Sequence, residues 1–136
     1  MNRSSLQNLA NERIKDAEAL LIAGRWSGAY YLAGYAVECA LKACFAKQTR
    51  ENDFPQKSAQ KVFTHNISEL LSLAGIKALR DNDIKASQAQ QLNWAIVEAW
   101  NESTRYEIWT EVQARQLYEA VTHSTERAMT WIINHW

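Results

Sequence analysis

The 136-residue sequence contains few of the residues that interrupt helices, because it has one proline and four glycines. Two cysteines are too few for a disulfide framework, and there is no glycine-rich phosphate loop, paired-cysteine zinc pattern or nucleophile elbow. Lysine plus arginine equals aspartate plus glutamate at 15 each, so the net charge gives no argument for nucleic acid or an anionic membrane. These absences favour one helical domain over residues 1–136 and exclude the common enzyme motifs.

The sequence also lacks targeting and membrane signals. The N-terminal residues form no apolar run of the signal-peptide type, and no other stretch is typical of a membrane span. Cys39 and Cys44 lie on the same predicted helix but point in different directions, so they cannot bridge each other there. We therefore expect a cytoplasmic protein with reduced, buried thiols, no membrane association, no metal and no cofactor.

The segment from Trp26 to Ala46 has two charges in twenty-one residues and is apolar nearly all round when drawn as a helix. Such a helix must be covered on most sides, so it is predicted to lie at the centre of the fold. One line along this helix consists of alanines, Ala29, Ala33, Ala36, Ala40 and Ala43. Because these side chains are small, a neighbouring backbone could approach the helix closely there.

The two charges of this segment, Glu38 and Lys42, have the spacing and order that favour an intrahelical ion pair. The length of the segment also suits a membrane span, which its two charges and many small residues disfavour. For the charged pair itself, periodicity leaves two interpretations open. The pair marks a solvent-facing strip, or it lies beside a ligand or partner because unpaired buried charge is costly.

Helical spacing of apolar residues predicts further helices on both sides. A first helix runs from about Ser5 to Ala23, and Gly24 ends it, so that the central helix returns antiparallel.

The polar, proline-containing residues 47–62 are predicted to form a mobile loop. Its basic residues leave two interpretations, a solvated loop or contact with a phosphate backbone or acidic partner.

The second half of the chain predicts two longer helices and one short one. Asn66 followed three residues later by Glu69 resembles a capping box, so the short helix begins near Ile67, and it ends at Gly75. A connector over residues 76–83, which has room for a further turn of helix, precedes a helix over residues 84–101. A long closing helix covers residues 111–134, and its apolar seam consists of Leu117, Ala120, Val121, Ser124, Ala128, Trp131 and Ile132. The predicted core positions of the helix over residues 84–101 are Ala89, Leu92, Ala95, Ile96 and Ala99, with Trp94 and Trp100 flanking them. The prediction is thus an all-α fold.

Two short stretches carry candidate functional residues. His65 precedes the cap of the short helix, where it is either a turn residue or faces a functional cleft, since histidine titrates near neutrality. Arg105 and Tyr106 lie in ESTRYEIWT, which is predicted to be an ordered turn. Here the alternatives are an ion-paired, packed turn and a ligand contact.

Three stretches in this order, AYYLAGYAVECALKA, THNISELLSL and STRYEIW, resemble the HEPN domain, a family of small helical proteins. The resemblance extends over about residues 5–135. The matching positions are Glu38, Ala40, Leu41, Lys42, His65, Leu70, Leu71, Arg105 and Tyr106. Two positions depart from the family pattern: Glu107 stands where proline is common, and Asn66 stands where aspartate is common.

This resemblance implies an up-and-down bundle of four main helices plus a short third one, five helices in all, often paired as a homodimer. Many relatives accompany a minimal nucleotidyltransferase in toxin and antitoxin pairs. Some are metal-independent ribonucleases with an arginine, four to six intervening residues, and a histidine, whereas others are thought to bind nucleotides or act as interaction modules.

The ribonuclease spacing is not found in this sequence. From Arg105 the histidine would lie between positions 110 and 112, which hold Thr110, Glu111 and Val112. The other arginine and histidine pairs, Arg115 with His123 and Arg127 with His135, each have seven residues between them.

The sequence therefore leads to three hypotheses. The first is a HEPN-type bundle that dimerises and binds nucleotide, RNA or a nucleotidyltransferase partner without nuclease activity. Its site would hold Glu38, Lys42, His65, Arg105 and Tyr106, with Arg105 and Lys42 contacting an anion, Tyr106 stacking or hydrogen bonding, and His65 as a switch. The alternative is a metal-independent ribonuclease toxin in which Arg105 and His65 are catalytic. The third is a purely structural assembly module.

Overall fold

The computed structural model describes residues 2–52, 63–122 and 128–136, and within them it contains helices and connections but no strand. The all-α prediction is confirmed, whereas the prediction of five helices is wrong, because these residues form seven α-helices and a 3₁₀ helix. They are α1 Arg3–Ile22, α2 Trp26–Asn52, α3 Ile67–Leu73, α4 Lys77–Asp83, α5 Gln88–Glu98, the 3₁₀ helix Glu102–Tyr106, α6 Glu111–Thr122 and α7 Ala128–Ile133.

Helices α1 and α2 form the predicted hairpin. Asn2 caps α1 by accepting a hydrogen bond from the Ser5 N–H at 2.8 Å. At the other end Gly24 has φ +72°, a conformation that glycine adopts without strain, and the Arg25 N–H donates to the Leu20 carbonyl at 2.8 Å. The chain therefore reverses within three residues, and α2 packs along α1.

Helix α2 lies at the centre, in contact with α1, α3, α6, α7 and the 3₁₀ helix. Its alanine line is fully buried, as predicted. The helix continues to Asn52, so the prediction of a loop is wrong for residues 47–52. These residues include no proline or glycine, and local helix propensity extends the helix although the apolar pattern has ended. The rest of the predicted loop, residues 53–62, lies outside the described residues.

The predicted core face of α5 is wrong. Leu92 is 58% exposed, and α5 instead buries Trp94 and Val97, followed by Trp100. Of the other predicted core residues, Ile96 is half-buried and the three alanines are exposed. Burying a tryptophan removes far more apolar surface from water than burying an alanine, which rotates the helix toward its tryptophans.

Trp100 reaches α2 because Gly34 has no side chain. A Cβ atom at Gly34 would lie 2.3 Å from the Trp100 ring, closer than carbon atoms approach each other. The glycine therefore makes room for the ring, which is 1% exposed. This contact fixes the end of α5 just before the 3₁₀ helix.

The connector before α5 is itself helical, as α4, and holds a buried arginine. The Arg80 Nη2 donates to Glu98 of α5 at 2.7 Å, and the Cζ atom lies 4.7 Å from the centroid of the Trp94 ring. The Trp131 indole N–H of α7 donates to Asp83 at 2.9 Å. These contacts join α4, α5 and α7.

The seam predicted for the closing helix is buried at the positions that the structure describes, which are Leu117, Ala120, Val121, Ala128, Trp131 and Ile132. The predicted seam residue Ser124, and with it the continuity of one long helix, lies outside the described residues. Within the described residues, no helix is both long and apolar enough to cross a membrane.

Both cysteines are buried and free of disulfides. Burial raises the pKa of Cys39 to about 11, and the neighbouring Glu38 charge adds to this. Burial likewise raises the pKa of Cys44 to about 12. At neutral pH both thiols are protonated and behave as core residues.

Candidate functional site

Glu38 is a buried carboxylate with two partners. Its side chain is 2% exposed, its Oε2 accepts a hydrogen bond from Lys42 Nζ at 3.0 Å, and its Oε1 lies 2.8 Å from His65 Nδ1. The Lys42 side chain is only 17% exposed. The interpretation of this pair as a solvent-facing strip is therefore wrong. Lys42 supplies the opposite charge that a buried carboxylate needs as a partner.

The backbone before α3 places His65 over Glu38. The Asn66 side chain accepts a hydrogen bond from the Glu69 N–H at 2.8 Å, which confirms Asn66 as the cap. Glu69 does not complete a capping box, because its carboxylate accepts from the Thr64 hydroxyl at 2.9 Å. The residues on both sides of His65 are thus held in place, and its imidazole is aimed at α2.

Glu102 joins His65 to Arg105. One oxygen of this carboxylate, Oε2, lies 3.2 Å from His65 Nε2, and the other, Oε1, lies 3.1 Å from Arg105 Nη2. The sequence interpretation did not include Glu102. Its position three residues before Arg105 was a signal for an ion pair, although not for the contact with His65.

Both ring nitrogens of His65 face a carboxylate oxygen. A neutral imidazole has one N–H and can satisfy one of these oxygens, whereas an imidazolium has two and satisfies both. Glu38, His65 and Glu102 therefore form a continuous chain of polar contacts, and Lys42 and Arg105 complete the cluster at its two ends.

Arg105 and Tyr106 form the outer part of the site. The Arg105 Nη2 donates to the Tyr106 hydroxyl at 2.7 Å, and the guanidinium Cζ lies 4.8 Å from the centroid of the Tyr106 ring. The hydrogen bond with Tyr106 is the largest cause that raises the pKa of Arg105 above its ordinary value. The Arg105 side chain is 44% exposed and Tyr106 is 77% exposed, so this turn is ion-paired but open to solvent.

The turn that carries Arg105 is the 3₁₀ helix, and its backbone is fixed at both ends. Asn101 accepts a hydrogen bond from the Ser103 N–H at 2.9 Å. The Glu107 N–H donates to the Thr104 carbonyl at 3.2 Å, and Glu107 has φ −112°. Proline has no N–H and prefers φ near −65°, so it would lose this bond. The departure from the family pattern at Glu107 therefore has a structural consequence.

Tyrosines of α2 extend the site along the helix. Tyr31 and Tyr35 stack with their ring centroids 6.1 Å apart, and Tyr31 lies 5.8 Å from the Trp100 ring. Both side chains are half-buried. Burial, followed by the charges of Cys39 and Glu38, raises the pKa of Tyr35 to about 12, so the phenol stays neutral. Helical spacing places Tyr31 on the same line of α2 as Glu38 and Lys42. This spacing was a signal in the sequence that could have identified Tyr31 as a residue of the site.

The other candidate residues are engaged elsewhere. Arg115 pairs with Glu111 at 2.8 Å and lies over the Trp26 ring. His135 has its Nδ1 2.8 Å from the Trp131 carbonyl and stacks on the Trp131 ring. Their sequence partners His123 and Arg127 lie outside the described residues. In residues 2–52, 63–122 and 128–136, no group of three histidine, cysteine or acidic side chains could hold a metal ion.

The structure thus brings together all five residues proposed from the sequence and adds Glu102. Comparison with protein-family models matches residues 4–136 to the HEPN domain, which is essentially the whole chain. Neither a curated protein nor a solved structure matches it.

Proposed function

Because the chain belongs to the HEPN domain family, and because Arg105 and His65 meet beside exposed and half-exposed aromatic rings, we propose that this site binds a nucleotide or RNA. The observation that carries the proposal is the position of the Arg105 guanidinium and the His65 imidazole on either side of one carboxylate. A phosphate group presents its oxygens in a similar way, and guanidinium and imidazole N–H groups donate hydrogen bonds to it.

The aromatic residues supply the second half of the proposed recognition. Tyr106 is 77% exposed beside the guanidinium, and Tyr31 of α2, which lies against the Trp100 ring, interacts electrostatically with Arg105. Unpaired bases stack on tyrosine rings, typically for about 1–3 kcal/mol per base. A phosphate at Arg105 and His65 would therefore place a base within reach of Tyr106. In this account Lys42 acts through Glu38, with which it forms an ion pair.

A second copy of the chain, or a nucleotidyltransferase, belongs to the same proposal. Tyr106 is followed by Ile108 and Val112, which are 95% and 76% exposed. Exposed apolar side chains so close together support a partner surface beside the site. We assign it to a homodimer of the up-and-down bundle that the family resemblance implies, with the nucleotidyltransferase as a further partner.

The ribonuclease alternative also has an observation in its favour. Buried Glu38 holds His65 at Nδ1, as a carboxylate does for a catalytic histidine, and Nε2 faces the half-exposed side of the site. However, Nε2 is already engaged by Glu102, and Arg105 lacks a histidine at the ribonuclease spacing. We therefore place binding first and cleavage second.

Titration calorimetry with ATP and with a short oligouridine tests the binding proposal. Arg105→Ala is expected to raise the Kd about 10-fold, the usual loss for a charge-assisted contact to phosphate. Arg115→Ala is the matched control, because Arg115 is also half-exposed and paired with a glutamate but lies outside the site. Equal affinity of the two variants would contradict the proposal.

A further inference from the structure

Glu102 occupies the position between Arg105 and His65 that the proposed function assigns to a phosphate. Its two oxygens lie 3.1 Å from Arg105 Nη2 and 3.2 Å from His65 Nε2. A carboxylate is a smaller anion with the same preference for these donors. We infer that Glu102 competes with the nucleotide phosphate for Arg105 and His65, so that its side chain must turn away before the phosphate can bind. This inference rests on the proposed function.

The two carboxylates of the site differ in whether they can leave it. Glu38 is 2% exposed, and both of its oxygens are paired with groups of the fold. The Glu102 side chain is 38% exposed and lies in the first turn of the 3₁₀ helix. Glu38 is a permanent part of the site, whereas Glu102 can move into solvent by side-chain rotation.

The backbone of the 3₁₀ helix does not have to move for this exchange. Asn101 holds its first turn through the Ser103 N–H, and the Thr104 hydroxyl donates to the Asn101 carbonyl at 2.8 Å. The Trp109 indole N–H donates to the Thr104 carbonyl at 3.0 Å. Arg105 therefore keeps its place while the Glu102 side chain leaves. Binding of a phosphate costs free energy for two reasons. Glu102 loses its half-exposed contacts with His65 and Arg105, and the negatively charged phosphate comes close to the Glu102 carboxylate.

Replacement of Glu102 should raise affinity, unlike most changes in a binding site. Glu102→Gln keeps the shape of the side chain and removes the charge that competes with phosphate. We expect this variant to bind ATP about 5-fold more tightly than the wild type, as loss of a half-exposed ion pair implies. Glu111→Gln is the matched control, because Glu111 also pairs with an arginine and is 52% exposed. It should leave the Kd unchanged.

Glu102→Asp separates occupation of the site from a general effect of charge. Aspartate keeps the charge, but its side chain is one methylene shorter and cannot reach both His65 and Arg105 as Glu102 does. Its affinity for ATP should lie between those of the wild type and Glu102→Gln. Wild-type affinity in this variant, with tighter binding by Glu102→Gln, would show that long-range repulsion rather than occupation limits binding, and would overturn the inference.

The same titrations distinguish failure of this inference from failure of the proposed function. If ATP binding depends on Arg105 but Glu102→Gln does not tighten it, the inference is refuted and the binding site stands. If Glu102→Gln binds ATP but the wild type and the double variant Glu102→Gln with Arg105→Ala do not, Glu102 blocks the site completely in the wild type, and the inference is supported. If no variant binds ATP or oligouridine, both proposals are overturned.

Discussion

His65 Nδ1 lies 2.8 Å from Oε1 of Glu38, a carboxylate that is 2% exposed in the centre of the helical fold. The contact joins α2 to the segment before α3 and is completed by Lys42 on the other carboxylate oxygen. A buried charge with two partners is costly to disturb, because removing one member leaves the others without compensation.

The first prediction concerns Glu38 itself. Glu38→Ala should lower the free energy of unfolding by about 2 kcal/mol, less than for a fully buried pair because His65 is 39% exposed and can be hydrated. Urea denaturation measures the change. Glu12→Ala is the control, because Glu12 pairs with Lys15 on the surface of α1, and it should cost less than about 0.5 kcal/mol. Equal effects would show that the Glu38 cluster contributes nothing beyond a surface ion pair.

The second prediction concerns the contact between Gly34 and Trp100. Gly34→Ala should destabilise the protein by about 2 kcal/mol, because the new Cβ would lie 2.3 Å from a buried ring. At Gly28 the nearest atom to a new Cβ is the flexible Leu20 Cδ1 at 3.1 Å, so Gly28→Ala should change stability by less than about 1 kcal/mol. Thermal or urea unfolding compares the two. A neutral Gly34→Ala would refute the assigned role of the glycine.

The third prediction follows from the buried thiols. The pKa of Cys39 is raised from 9.0 to about 11, so the folded state keeps its proton where the unfolded state loses it. The unfolded state then binds fewer protons, and the free energy of unfolding falls as the pH rises through this interval. Below pH 9.0 the contribution of Cys39 is fully present.

Stability measured in urea between pH 9 and about pH 11 checks this dependence. Because the pKa of Cys44 is also raised, to about 12, the double variant Cys39→Ala with Cys44→Ala should lose stability less steeply than the wild type. A thiol reagent at pH 8 should react with both cysteines only after unfolding, since thiolate is the reactive form. Rapid reaction in the folded protein would contradict the burial of these groups.

The fourth prediction concerns the partner surface. Ile108→Asp should shift the protein toward the monomer in light scattering coupled to size-exclusion chromatography, because a charge would replace an apolar contact. Leu92→Asp is the control, as Leu92 is 58% exposed on α5. Retention of the dimer in Ile108→Asp would move the interface elsewhere. A monomeric wild type would refute the proposed homodimer.

The fifth prediction separates binding from cleavage. Purified protein incubated with total RNA, without metal, should leave the RNA intact, because both ring nitrogens of His65 face carboxylates of the site and no histidine follows Arg105 at the ribonuclease spacing. Cleavage that disappears in both Arg105→Ala and His65→Ala would establish the ribonuclease alternative. Cleavage that persists in both variants would point to a contaminating nuclease.

The parts of the fold that follow from local patterns were predictable from the sequence. The alanine line of α2, the Asn66 cap and the spacing of Glu38 and Lys42 depend on a few neighbouring residues, and the structure retains all three. The all-α class followed from the scarcity of proline and glycine. These features require no knowledge of which helices meet.

The errors occur where a distant contact decides between local alternatives. Helical spacing allowed α5 to bury Leu92, but the space above Gly34 favours Trp100. Glu102 belongs to the site because the segment before α3 brings His65 to the 3₁₀ helix, a relation that no spacing in the sequence expresses. The helical conformation of residues 47–52 came from propensity where the apolar pattern was absent.

A crystal structure of the protein with ATP bound tests the central claim most directly. The account predicts a phosphate oxygen within hydrogen-bond distance of both Arg105 and His65, with the Glu102 side chain turned toward solvent and Glu38 still paired with Lys42. ATP bound elsewhere on the molecule, with Glu102 still between Arg105 and His65, would contradict it.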